Sequence, residues 1–186
     1  MKTIPLSETF FQGVLSVERA GRTLRPWRLP HYRRHLFPAP DDSLMQTAAC
    51  PSGVRLRFVT DACEITVRFD PLPAPDLNQC AGHAFDAVID NSIVQTVSCF
   101  ENAQEAVFNQ IGEGQRTLEI WLPPGCPIAL RDVQIPNAAT VERPNNYAFG
   151  DIMTSTAPGE TSLSNKMCPL FTYRLVFVIG KNASVA

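Results

Sequence analysis

A mainly β chain, folded as an antiparallel jelly-roll-type β-sandwich, is the fold class predicted by three features of these 186 residues. Sixteen prolines break up any long helix and favour turns between short strands. Several runs alternate apolar and polar residues with a period of two, the signature of strands with one buried face. Turn signals recur about every ten residues between those runs.

Composition sets the outer limits. Hydrophobic residues make up 45% of the chain, enough for a core, so global disorder is excluded. A formal net charge of −2 gives no electrostatic case for a nucleic-acid partner. No run approaches the roughly 18 apolar residues of a membrane span. The six cysteines, Cys50, Cys63, Cys80, Cys99, Cys126 and Cys168, show no C-x-x-C spacing, so a zinc ribbon is not expected. The start, "MKTIPLSETF", has no apolar stretch of signal-peptide length. The default expectation is a cytoplasmic chain with reduced, mostly buried thiols.

Residues 1–49 read as an irregular N-terminal arm. Arg22, Arg25, Arg28, Arg33 and Arg34 are interleaved with Trp27, Tyr32 and Phe37. Arginine and aromatic rings together suit a sugar- or phosphate-binding arm. A strand and loop packed on the β-domain, with the aromatics as anchors, explains them more simply.

Residues 50–143 carry the sandwich. "GVRLRFVT" places Val54, Leu56 and Phe58 on one face, and "CEITVRF" does the same for Cys63, Ile65, Val67 and Phe69. The short "TDA" between them reads as a hairpin turn, and "PLPAPDLNQCAGH" as a long loop. "AFDAVIDNSIVQTVS" is a second hairpin, turning at Asp90-Asn91, a pair that tolerates left-handed backbone angles. In "RTLEIWLP", Leu118, Ile120 and Leu122 share one face while Thr117, Glu119 and Trp121 share the other. "PIALRDVQI" is the last of about six strands. "AATVERPNN" reads as a linker. Beyond it, residues 171–179 form a short apolar run that stops at Gly180, a buried strand by composition.

Several of these stretches occur together in an order that carries a resemblance. "LRPWRLP", "SGVRLRFVTDA", "FDAVIDNSIV", "RTLEIWLPPGCPIALRDVQI" and "ERPNNYAFGD" resemble the N-terminal β-sandwich of two-domain SGNH/GDSL-type esterases, a group that includes carbohydrate esterases. The match runs over roughly residues 12 to 151. It implies that residues 144–186 are an incomplete flavodoxin-like α/β segment of the hydrolase domain. There Gly150 and Asp151 match the start of a G-D-S-I-T-like motif, and Ile152 stands where the nucleophilic serine belongs. Isoleucine cannot attack a carbonyl. Ser155 is the nearest hydroxyl, off the expected turn. The resemblance also implies a late catalytic histidine, but His31, His35 and His83 all precede Asp151. Gly180 and Asn182 match a G-x-N shape whose asparagine donates to an oxyanion.

Three functions compete on this reading. The first is a non-catalytic accessory sandwich of such an esterase, with carbohydrate as its candidate ligand. The second is an active ester hydrolase on acylated sugars, as part of a longer chain or using Ser155 with a base such as His83 or one from a partner chain. The third is an independent lectin-like module with Trp27 and Trp121 as its stacking surfaces, although packing under the N-terminal arm explains Trp121 more simply. No cofactor and no metal site is expected: His31 and His35 are four apart but flanked by Pro30 and Pro38, with no acid placed beside them. An apolar edge at residues 171–179 is expected to favour self-association.

Overall fold

The computed structural model of the chain divides into two compact units, Met1–Phe149 and Gly150–Ala186. It describes residues 1–37, 43–73, 83–100 and 102–143, all in the first unit. These form a sandwich of two antiparallel sheets, as the alternation predicts.

The strands are β1 (Lys2–Pro5), β2 (Phe11–Gln12), β3 (Ser16–Ala20), β4 (Thr23–Trp27), β5 (Arg55–Thr60), β6 (Ile65–Pro71), β7 (His83–Ile89), β8 (Ser92–Cys99), β9 (Glu105–Phe108), β10 (Arg116–Trp121), β11 (Ile128–Ile135) and β12 (Val141–Glu142). One sheet runs β3-β4-β11-β6-β9, with β1 also on β11. The other runs β12-β5-β10-β7-β8, with β2 also on β5. Four strands therefore come from residues 2–27, a stretch whose sequence reads as irregular because the strands are short, and three of them, β1, β2 and β4, also pair with strands far along the chain.

The core lies between the sheets. Leu56 and Phe58 from β5, Leu118 and Ile120 from β10, and Phe85 from β7 face Ile65, Val67 and Phe69 from β6 and Ile128 and Leu130 from β11. Each such side chain contributes roughly 1.5–3 kcal/mol by leaving water. The β11 strand is central and buried along most of its length, which needs one irregularity. Leu130 pairs with Phe69 and Asp132 with Arg68, so Arg131 is an extra residue, a β-bulge. The bulge lets both Leu130 and Val133 point inward. Arg131 is held by hydrogen bonds from Nη2 to the Phe69 carbonyl (3.1 Å) and to Gln104 Oε1 (3.0 Å).

Four sequence expectations are corrected. The "TDA" segment is not a hairpin turn, because β5 and β6 lie in different sheets and the segment crosses between them. Cys63 is exposed on that crossing and does not share the buried face of Ile65, Val67 and Phe69. Residues Ser43–Ala49 form a short α-helix, α1, where no helical period stands out. Within the supposed linker, Val141 and Glu142 pair with Thr60 and Val59. By contrast, β7 and β8 do form a hairpin, with φ of 50° at Asp90 and 62° at Asn91.

The β12 strap is tied by side chains from the crossing. Thr140 donates from its backbone N–H to Asp61 Oδ1 (2.6 Å), and Thr60 Oγ1 donates to the Thr140 carbonyl (2.6 Å). The Thr140 amide holds the Asp61 carboxyl below its usual pKa. A depressed pKa means this contribution is complete above the ordinary aspartate value of about 3.9. It is lost as pH falls through the lower folded value. In hydrogen exchange, Thr140 is expected to keep its protection at neutral pH and lose it in acid. Asp61→Asn should lower that protection at neutral pH; protection independent of both acid and this substitution would contradict the tie.

Candidate functional site

The outward face of the β12-β5-β10-β7-β8 sheet gathers the polar half of each alternating strand. Cross-strand register sets Gln12 beside Arg55, Arg55 beside Trp121, Trp121 beside Asp86, and Asp86 beside Thr96. The neighbouring row sets Arg57 beside Glu119 and Glu119 beside Val88. Because side chains alternate, these two rows are adjacent on one surface.

The rows are cross-linked. The Arg55 guanidinium lies 4.8 Å from the Trp121 ring centroid and its Nε is 3.4 Å from Glu119 Oε2. Arg55 Nε also donates to Gln12 Oε1 (3.2 Å), and Arg57 Nε lies 3.6 Å from Glu119 Oε1. Thr96 Oγ1 donates to Asp86 Oδ1 (2.7 Å). A depression of about 210 Å³ opens between Arg57, Asp90, Asn91, Thr117 and Glu119. The face thus offers one partly exposed indole, carboxylates and guanidinium groups nearly balanced in charge, and an amide. Such a set can stack on an apolar ring face and hydrogen-bond to neutral hydroxyl groups.

Trp27 has a different setting. It lies on the outward side of β4, but α1 covers it through Ala48 and Ala49, and it is 3% exposed. Its indole N–H donates to Glu18 Oε2 (2.8 Å). The two tryptophans are not brought together, since they belong to different sheets.

The histidines are also apart. Residues His31–Leu36 form a 3-10 turn, not an α-helix, so positions four apart do not stack on one face. His31 is engaged with Ser16: its backbone N–H donates to Ser16 Oγ (3.0 Å), and its Nδ1 is 3.1 Å from the same oxygen. His83 is buried, edge-on to Phe69 at 5.4 Å between ring centroids. Among the described residues no three His, Cys, Asp or Glu side chains converge as a metal site, and no helix is long and apolar enough to cross a membrane. Gly150, Asp151, Ile152, Ser155, Gly180, Asn182 and the apolar run 171–179 lie outside the described residues.

Sequence reasoning found Trp121 and, by alternation, put Glu119 on its face. It missed Arg55, Arg57 and Asp86 as neighbours. Their types were visible, but which strands lie side by side is not written in local periodicity.

Comparison with known proteins places this sandwich. One solved structure, the salicylyl-acyltransferase SsfX3 from a tetracycline biosynthetic pathway, matches with 26% identity and a TM-score of 0.67. The match covers 78% of this chain and 42% of that one. A GDSL-like lipase from Bacteroides ovatus matches with 14% identity and a TM-score of 0.55, over 78% of this chain and 43% of the other, a likeness of fold alone. The chain therefore spans less than half the length of either protein. A search of curated proteins finds no match. The family described as "SsfX3, N-terminal domain" matches residues 9–131, more than half of the chain, from β2 into β11. On that match, the chain belongs to the SsfX3 N-terminal domain family.

Proposed function

We propose that this sandwich is the accessory domain of an SGNH-like acyltransferase or esterase, without catalytic chemistry of its own, and that it holds carbohydrate on the Trp121 face. The observation that carries the accessory role is partial coverage: the sandwich corresponds to 42% of an acyltransferase and 43% of a GDSL-like lipase. Ile152, at the position that the resemblance gives to the nucleophile, supports a chain with no acyl-transfer chemistry in these 186 residues. Family membership favours an accessory domain over a lectin unrelated to hydrolases.

The carbohydrate reading is supported by chemistry. Sugars present an apolar face of C–H groups and a rim of hydroxyls, and the indole with Arg55, Asp86 and Glu119 beside it, next to the depression at Arg57 and Asn91 on the same face, is suited to both. Affinity electrophoresis through a panel of polysaccharide gels tests it. The protein is expected to be retarded by at least one polysaccharide, and Trp121→Ala to weaken that retardation about tenfold, or about 1.4 kcal/mol. Circular dichroism should show the fold retained. Retardation unaffected by Trp121→Ala, or none on any gel, would count against the glycan face. Unfolding by Trp121→Ala would instead assign the indole a packing role.

A further inference from the structure

A second pocket opens on the other sheet, beside Trp27. It has a volume of about 260 Å³, below the roughly 300–1,000 Å³ of drug-sized ligand sites, so its occupant is small. Its walls are mostly apolar: the edge of Trp27, Met45 and Ala49 from α1, and Pro73 and Pro127. The polar groups are Gln46 and Arg25.

Arg25 is in an unusual state for an arginine. Its guanidinium sits 4.3 Å from the Trp27 ring centroid, and its Nε is buried with no hydrogen-bond partner. Among the described residues it makes no ion pair within 4.0 Å, although four other arginine–carboxylate contacts occur in the same domain. The facing carboxylate, Glu18, pairs with Arg25 in register but spends Oε2 on the Trp27 indole N–H. Arg34 adds a second positive charge, 5.6 Å from the same ring. Burial is the main influence on the Arg25 guanidinium and lowers its pKa, with Glu18 opposing it. The group remains a cation at neutral pH. A partly desolvated guanidinium with unused donors, in an apolar pocket, has a strong preference for a carboxylate, which accepts two parallel N–H bonds. The indole edge and the rings of Pro73 and Pro127 suit a small, flat apolar body behind that carboxylate.

We infer that the Arg25–Trp27 pocket is a binding site for a small monocarboxylate with a flat apolar body. This site stands independently of the glycan face, which is on the opposite sheet.

Benzoate is a suitable probe, with benzyl alcohol lacking the charge and acetate lacking the body. The readout is the two indole N–H resonances of the 186-residue chain labelled with ¹⁵N. Benzoate should move the Trp27 resonance saturably and leave Trp121 in place. Benzyl alcohol and acetate should each bind at least tenfold more weakly. Arg25→Gln should weaken benzoate about tenfold or more, while Arg25→Lys retains part of the affinity. Met45→Phe, which fills the pocket and leaves Arg25 intact, should also abolish the shift, and it decides the matter if Arg25→Gln fails to fold. No saturable shift, equal binding of benzyl alcohol, or benzoate binding that survives both Met45→Phe and a folded Arg25→Gln would overturn the assignment.

Discussion

Phe69→Ala is expected to destabilise the sandwich by about 3–5 kcal/mol, the usual cost of truncating a fully buried phenylalanine. Phe69 is wholly buried in β6, with its ring centroid 4.9 Å from that of Phe85 and 5.4 Å from that of His83. It lies opposite Leu130, beside the Arg131 bulge, so both sheets lean on it and little can relax into the space. A domain with a stability of roughly 5–15 kcal/mol would lose much of its margin. Urea denaturation followed by circular dichroism would show the midpoint fall sharply. Phe100→Ala is the control: that ring is 90% exposed, and its loss should stay within about 0.5 kcal/mol. Equal midpoints for the two variants would contradict the assigned core.

Gly13→Ala is expected to be the most damaging of the single-methyl additions, at about 3 kcal/mol. Two costs combine. Gly13 has φ of +75°, where a side chain costs roughly 1–2 kcal/mol. A Cβ at this position would also sit 2.4 Å from the Gly53 carbonyl oxygen, forcing apart the two backbones just where β2 meets β5. Overpacking of this kind typically costs 1–3 kcal/mol. Gly21→Ala makes the comparison clean, because its φ is +62° and its Cβ would meet nothing within 4 Å. Thermal unfolding should rank the two with Gly13→Ala clearly lower. Identical melting would remove the close approach as an explanation.

The sequence disclosed those parts of the fold that depend on neighbours along the chain. Period two in β5 and β10 identified Leu56, Phe58, Leu118 and Ile120 as core, and Asp90-Asn91 identified the β7–β8 turn. What it could not disclose depends on partners far away. Thr60 to Glu64 looks like a tight turn because two alternating runs flank it, yet nothing local says that the second run joins another sheet. The β1 to β4 strands are short, two of them carry a proline, and β1, β2 and β4 are held by β11 and β5 far along the chain, with β3 added at the edge on β4. The seven-residue α1 is too short to show a helical period.

The candidate sites divide in the same way. Trp121 and Glu119 share a face by alternation, so that part was legible. Arg55 stacking on Trp121, and Glu119 holding both Arg55 and Arg57, follow from register. Trp27 packs as an anchor, the simpler of its two readings, and not as the stacking surface of the lectin-like one: α1 covers it and leaves it beside Arg25. That outcome turns on a packing contact over more than twenty residues of chain, which composition does not encode.

The accessory, non-catalytic role is tested most directly by hydrolysis of a short-chain aryl acetate by the purified 186-residue protein, with Ser155→Ala alongside. No turnover above buffer is the expected result, since Ile152 supplies no nucleophile at the position that the resemblance assigns. Turnover that Ser155→Ala abolishes would contradict the account, because it would mean that a working nucleophile lies within these residues.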